Sequence, residues 1–376
     1  MSQPIKVLEC IRQGQIGGGE SHLLSLVENL DRSQFDPVVL SFTDGPMIDR
    51  LRQMQVPAHV IPTTRPFDIS KWGTVKKWIR EQGVQLVHAH GTRANSNVLW
   101  ASRSLGLPVI YTVHGWSFHP DQAAWVRRIR IMGERYLTSR SQLNISVSHS
   151  NQQTGKDYMP SFRSIVINNG IDLNKFDPAQ PHKDIRKQLG ISPDVLLVLF
   201  IARFTGHKQP LSLIKAFASA LEQNPNMHLL MVGDGDQKAE AIELIKTLSC
   251  GNKVTLESFR QDVPDVLAAA DIFVLPSLWE GLPIGLLEAM AMGKAIIASR
   301  VDGTSEIIRN GENGWMVDTD SLVPNLSTAL ASLSRDGEKR KAFSTAARAT
   351  VSERFNAANM TRQIEEQYRL LLPQRH

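Results

Sequence analysis

The chain has 376 residues, 42% hydrophobic and 21% charged, with a formal net charge of +5. That length exceeds what one hydrophobic core usually serves, so two domains of roughly 150–190 residues are expected. No uncharged apolar run reaches the ~18 residues of a membrane-spanning helix, and the mild positive balance suits an anionic ligand or membrane surface without demanding nucleic acid, for which there is neither an arginine-rich tail nor a zinc-finger spacing.

The opening "MSQPIKVLEC" reads as a strand and not as a secretory signal. Cys10 and Cys250 have no zinc-like spacing and read as reduced thiols of a cytosolic protein. Strands are expected at "IKVLEC", "PVVLSFT", "VQLVHAH", "PVIYTVH", "LNISVS" and "SIVINN", with helices such as 22–29 and 72–80 between them. After the linker-like "NNGIDLNKFDPAQPHKD" the series restarts with "VLLVLFIARF", "MHLLMVGDG", "KVTLES", "DIFVLPS" and "AIIASR", separated by helices near 211–221, 238–248, 263–270 and 286–292. Alternating strands and helices imply parallel sheets covered on both faces, and two series imply two doubly wound domains. The boundary is placed at 177/178, the second domain ends near 355, and 356–376 reads as a last helix free to pack on either domain. In such sheets ligands sit beyond the carboxyl ends of the strands, so the unusual residues there are the candidates.

After the first strand, Gly17, Gly18 and Gly19 can let backbone amides approach an anion at a helix start, or can form a flexible turn; the spacing is not that of a dinucleotide fingerprint. His114 ends "PVIYTVH" as His88 and His90 end the strand before it; each can contact a phosphate or sugar hydroxyl, although the ordinary reading of a lone histidine is a hydrogen-bonded structural one. Arg203 and Lys208 in "ARFTGHKQP" suit a diphosphate, against the simpler reading of two solvated cations. Gly233 and Gly235 in "GDGDQ" supply backbone freedom, while Asp234 and Asp236 read as helix-start residues. In "SLWEGLPIGLLEAMAMGKAIIAS" Glu280 falls in a loop and Glu288 about five residues into a helix, roughly 7–8 Å further along. That spacing rules out a tight acid/base dyad and suits two carboxylates spread along one ligand. The competing reading, a loop carboxylate and a buried capping or ion-paired glutamate, is disfavoured by the cation pair and glycine turn elsewhere.

Taken in this order, "GGGES", "TVHG", "NNGID", Arg203 with Lys208, "GDG", the E-x7-E segment with its "EAMAMGK" continuation, "GTSEII" and "NGWMV" resemble the retaining glycosyltransferases of family four. The resemblance covers nearly the whole chain. It implies the GT-B fold, two Rossmann-like α/β domains facing across a cleft: an N-terminal acceptor-binding domain at 1–177, onto which the helix at 356–376 packs back, and a nucleotide-sugar domain at 178–355. It implies that Arg203 and Lys208 neutralise the leaving diphosphate, that Glu280 binds the donor sugar and Glu288 the ribose, and that amides near Gly281, Leu282 and Ile284 approach sugar and phosphate. Gly18, Gly19, Gly233 and Arg260 of "ESFRQ" join the donor site, and His114 faces the reacting sugar. Four departures are visible: Ala202 and Gln209 replace frequent glycines, Pro283 removes an amide, and "GKAII" replaces "GKPVI".

The expected reaction is transfer of a hexose with retention from a nucleotide-sugar, a UDP-sugar foremost, to a glycan or lipid-linked acceptor of exopolysaccharide or lipopolysaccharide type. Asp234 and Asp236 are read as helix-start residues and not as a metal-binding D-x-D pair, so no metal and no other cofactor is expected, the two cations supplying the electrostatics instead. Basic stretches at "SKWGTVKKWIREQG" and "DQAAWVRRIRIMGERYLTSR" fit either ordinary surface helices or docking on an anionic membrane. The expected location is therefore cytoplasmic, with room for a peripheral place on the inner face of the cell membrane. The alternatives are a nucleotide-sugar epimerase, against which the E-x7-E segment argues, and a non-catalytic nucleotide-sugar-binding protein; a nicotinamide dehydrogenase is weaker for want of its fingerprint.

Overall fold

The structure is a computed structural model and describes residues 3–14, 17–119 and 121–372. The chain divides into two compact units, Met1–Gly170 with Ala357–His376, and Ile171–Asn356. The division thus falls inside the Asn/Asp/Gly/Pro-rich linker but ahead of 177/178. The last four residues of the expected C-terminal helix, 373–376, lie outside the described residues.

In chain order the first unit holds β1 (Ile5–Ile11), α1 (Gly18–Asn29), β2 (Phe35–Ser41), α2 (Pro46–Gln53), β3 (Ala58–Val60), α3 (Ile69–Glu81), β4 (Leu86–His90), α4 (Thr92–Ser104), β5 (Val109–Val113), α5 (Ala124–Arg140), β6 (Leu143–Ser146), α6 (His149–Tyr158) and β7 (Ile165–Val166). The second holds α7 (Ile185–Leu189), β8 (Leu196–Ile201), α8 (Pro210–Leu221), β9 (Met227–Val232), α9 (Lys238–Thr247), β10 (Val254–Glu257), α10 (Val263–Ala269), β11 (Ile272–Leu275), α11 (Ile284–Ala291), β12 (Ala295–Ser299), α12 (Asp302–Ser305), β13 (Trp315–Val317), α13 (Leu322–Arg335) and α14 (Gly337–Arg354). The final helix, α15 (Ala357–Leu371), belongs to the first unit.

Both sheets are parallel throughout, as every strand pairing shows. The first runs β3-β2-β1-β4-β5-β6-β7 and the second β10-β9-β8-β11-β12-β13. Each order reverses once, between β1 and β4 and between β8 and β11, and a doubly wound sheet leaves a ligand crevice beyond the strand ends at that switch point. The central strands are covered on both faces, so they read as unbroken apolar runs. One core of the first unit packs Leu8, Val87, Val109 and Tyr111 under α3 and α4. The other packs Val7, Leu23, Phe35 and Ile110 with Met360, Ile364 and Tyr368 of α15.

Several elements were not expected from the sequence. Strands β3 and β13 are three residues each, too short for an alternation to show. Helix α4 falls between two strands where a helix was expected, and it buries Asn95, Ser96 and Asn97 beside the apolar Ala94, Val98, Leu99 and Ala101.

Candidate functional site

At the switch point of the second sheet, the loops that follow β8 and β11 are joined three times. Leu278 N–H donates to the His207 carbonyl at 2.8 Å. The His207 and Trp279 rings stack at 5.1 Å and 17°. The Lys208 ammonium forms an ion pair with Glu280 Oε1, with 16% and 10% of the two side chains left accessible. The structure thus joins Lys208 and Glu280, expected separately at the diphosphate and at the donor sugar. Arg203 on the same loop is exposed and has no ion-pair partner among the described residues.

Glycines position this loop. A Cβ on Gly233, whose φ is +148, would meet the Ala202 carbonyl oxygen at 2.0 Å, and one on Gly235 would meet that of Phe204 at 2.3 Å. The turn after β9 therefore presses on the backbone on both sides of Arg203, which is the role the structure gives Gly233. Gln209 sits at φ 56, ψ 43, the left-handed region that favours the glycine it replaces. Its side chain holds the turn by donating to the Gly206 carbonyl at 2.6 Å and accepting from the Ser212 hydroxyl at 2.5 Å.

Helix α11 begins at Ile284, with Pro283 as its N-cap at φ −73, ψ 109. Leu282 and Ile284 are buried, while Gly281 lies in the turn before the helix. Gly303 comes so close to this turn that a Cβ there would meet the Gly281 carbonyl oxygen at 2.2 Å. Glu288 is the fifth residue of α11. Burial lifts its pKa to about 7, with Lys175 pulling weakly the other way. Arg260 is already engaged: it grips Asp262 with two nitrogens, at 2.6 and 2.9 Å, and reaches Glu257 at 3.4 Å. The lysine of "EAMAMGK", Lys294, donates to the carbonyls of Ala268 and Ala270 at 3.1 and 3.0 Å, closing the end of α10.

The switch point of the first sheet carries a second cluster. Gly18 opens α1, where a Cβ would meet no atom of the described residues within 4 Å, and a Cβ on Gly19 would lie 3.6 Å from the His114 ring. Behind them stand His22, His88, His90 and the carboxylate of Glu9, all buried. His22 bonds Asn169 through Nδ1 at 2.9 Å, and its buried Nε2 meets no hydrogen-bond partner among the described residues. Sequence reading named His88 and His90 only as ordinary candidates and passed over Glu9 and His22. The available signal was a charged residue in the middle of "IKVLEC", where a buried parallel strand has no place for one without partners. Ligand nitrogens of His22, His90 and His114 lie within 4.8 Å of one another, as do the ligand atoms of Glu9, His88 and His90, so either trio could hold a metal ion.

Residues 181–350 match the family described as Glycosyl transferases group 1, and residues 16–175 match Glycosyltransferase Family 4. The chain belongs to the family-four glycosyltransferases. This transferase is 27% identical over 330 residues, 85% of each chain, to the UDP-Gal:alpha-D-GlcNAc-diphosphoundecaprenol alpha-1,3-galactosyltransferase of Escherichia coli. Its fold matches that of Anabaena HepE, crystallised with UDP and glucose, at a TM-score of 0.85 and 24% identity, covering 97% of this chain and 100% of that one. It also matches WaaG, a glycosyltransferase involved in lipopolysaccharide biosynthesis, at a TM-score of 0.75 and 16% identity, covering 96% and 99%. The two-domain GT-B architecture expected from the sequence is therefore the fold of this transferase.

Proposed function

We propose that the transferase moves a sugar from a nucleotide-sugar, a UDP-sugar foremost, onto a glycan or lipid-linked acceptor in cell-surface polysaccharide synthesis, with retention at the anomeric carbon and without a metal. The observation that carries this reading is the group of charges at the β8/β11 switch point. Arg203, Lys208, Glu280 and Glu288 all come from the two loops and the one helix that border the crevice where such a sheet takes its ligand. The relative that uses UDP-Gal and a diphosphoundecaprenol-linked acceptor supports the donor and acceptor classes.

Cleaving the anomeric bond leaves a cationic sugar and a diphosphate anion. Arg203 and Lys208 stabilise that anion through fixed charges that need no reorganisation. Glu280 accepts hydrogen bonds from sugar hydroxyls while holding Lys208 in place, and Glu288 accepts from the ribose. The leaving phosphate oxygen takes the proton of the attacking acceptor hydroxyl on the same face. Amides around Gly281, Leu282 and Ile284 border the phosphates. Arg260 acts at one remove, by fixing the loop beside the nucleobase. Gly18, Gly19 and His114, at the switch point of the first sheet, are the further residues assigned to donor binding.

Helix α5 supplies a membrane contact. Trp125, Ile129 and Met132 stand 70%, 60% and 63% exposed along one line of the helix, among Arg128, Arg130 and Arg135. An apolar ridge edged with cations is suited to the surface of an anionic bilayer. Helix α3, by contrast, buries Val75 and Ile79 and stacks Trp72 on Trp100 and Trp78 on His59, so it serves the unit's own packing. The proposed place is the cytoplasmic face of the membrane.

Calorimetric titration of UDP, GDP and ADP with chelator present tests the donor site. Tight binding of one of them is expected. Binding of none, or binding restored only by a divalent ion, would overturn the metal-free diphosphate site.

A further inference from the structure

The first unit holds a cavity of about 340 Å³ between the last turns of α5 and the starts of β6 and β7. That volume suits a small ligand. Its lining includes Leu143 and Ile165, the first residues of those two strands. The cavity therefore lies at the amino edge of the sheet, at the opposite end from the switch-point crevice, and belongs to neither cluster described above.

The lining is rich in donors. Arg135 and Arg163 both border it, and no acidic side chain stands among the lining residues to neutralise them. Arg163 is braced through Nη1 on the carbonyls of Pro160 and Phe162, both at 3.0 Å, which leaves Nε and Nη2 for a ligand. Gln142 accepts the Val109 N–H through Oε1 at 2.8 Å, which leaves its N–H₂ end as a donor. The acceptors, by contrast, are largely taken. The Thr138 and Arg163 carbonyls each accept from the Asn144 amide at 3.0 Å, and the Ser164 carbonyl accepts from Gln152 at 2.7 Å. Those two Asn144 bonds also tie the α5 wall to the Arg163 loop, so both guanidinium groups hang from segments fixed to one buried residue. Such a lining suits a group that brings negative charge and acceptors without donors, and a phosphodiester is that group.

Helix α5 decides what carries the phosphate. Arg135 lies three residues beyond Met132 of the exposed ridge, and residues three apart on a helix are surface neighbours. The cavity thus opens beside the ridge, at the level that headgroups occupy around a helix lying in the interface. We propose that the cavity is a lipid-phosphate site, in which Arg135 and Arg163 grip the phosphodiester of one anionic headgroup while Trp125, Ile129 and Met132 enter the apolar layer beside it. The inference rests on the membrane reading of α5 and adds to it a single saturable site.

The test uses the full-length protein and its sedimentation with vesicles of phosphatidylcholine, with and without phosphatidylglycerol. Binding is expected to the vesicles that contain phosphatidylglycerol. Arg135→Lys/Arg163→Lys changes two exposed residues and keeps every charge, but it loses the planar fork that spans two phosphate oxygens and should weaken this binding about tenfold. Arg128→Lys, outside the cavity, should stay within about twofold of wild type, because diffuse attraction to an anionic surface treats the two cations alike. A parallel calorimetric titration with glycerol 3-phosphate offers the same chemistry free in solution, and binding that the double lysine variant loses is expected. Wild-type vesicle binding that Trp125→Ala/Met132→Ala abolishes but the double lysine variant retains in full would uphold the membrane reading and overturn the cavity as the site. Glycerol 3-phosphate binding, lost in the double lysine variant, by a wild-type protein that ignores both kinds of vesicle would overturn the lipid source together with the membrane reading.

Discussion

Lys208 and Glu280 make the most exposed claim of the site, because an ion pair with little solvent access is costly to break from one side. Removing either partner strands a desolvated charge, which typically costs about 3–5 kcal/mol in a buried pair, and partial access here places the effect toward the lower figure. Lys208→Ala should therefore lower the melting temperature as well as kcat, and the loss of one fixed cation facing the developing anion should cut kcat about 10²- to 10³-fold. The Lys208→Ala/Glu280→Ala double variant should be markedly more stable than the sum of the single losses, since no charge is left alone. Thermal melts of the three variants decide it; additive losses would mean that the pair is not formed in solution. Glu288 gives the pH signature. Its folded pKa of about 7 lies above the ordinary carboxylate value because burial disfavours the charge. The ionised form is thus fully present only above pH 7, and a carboxylate that accepts ribose hydroxyls needs that form. Nucleotide affinity should rise with pH from 6 to 8, level off above, and lose this dependence in Glu288→Gln; titrations at several pH values would show it. For folding the sign is reversed: Glu288 favours the folded state most below about pH 4.5 and that contribution is lost as pH rises toward 7.

Loops that carry charged residues are only as well placed as the elements beneath them. The turn after β9 presses on the Arg203 loop with no room for a methyl group, so Gly233→Ala should cost about 1–3 kcal/mol through overpacking and weaken diphosphate binding by moving Arg203, without touching a ligand itself. Unchanged UDP affinity in a folded Gly233→Ala protein would detach this turn from the site. Packing of these elements also decides what the sequence disclosed. The central strands were legible because burial on both faces leaves unbroken apolar runs, and "GDG" and "LWEGLP" were legible because turns demand particular residues. The short edge strands β3 and β13 left no period to read, and Asn95, Ser96 and Asn97 interrupt the apolar period of α4. At the site, Arg203, Lys208, Glu280 and Glu288 announced themselves as charges at strand ends. Glu9 and His22 did not, because their partners arrive from β4, α15 and residue 169, far away in sequence. The pairing of Lys208 with Glu280 was equally invisible, since contacts between loops do not follow from spacing.

The whole chain is built as one unit inserted into another. The second unit is entered at Ile171 and left at Asn356, and these two residues form a bridge, with Ile171 N–H donating to the Phe355 carbonyl at 2.7 Å. Its ends therefore meet, and its complete six-stranded sheet and core lie between them. A segment with adjacent ends and its own core should fold when excised. The first unit has no such independence, because α15 must return to it. Met360, Ile364 and Tyr368 are fully packed against the sheet, and burying side chains of this size stabilises by roughly 1.5–3 kcal/mol each. Glu365 also accepts from the Asp31 amide at 2.7 Å, and Tyr368 donates to Glu9. The fragment 171–356 should consequently unfold cooperatively and bind UDP within about tenfold of the full chain, a difference of about 1.4 kcal/mol, since Arg203, Lys208, Glu280 and Glu288 all lie within it. A chain ending at residue 356 should keep that binding, lose the cooperative melting of the first unit, and transfer no sugar. Calorimetry on the fragment settles the matter: a folded fragment that does not bind UDP would show that the first unit supplies most of the affinity, and the assignment of the diphosphate to the β8/β11 crevice would fail.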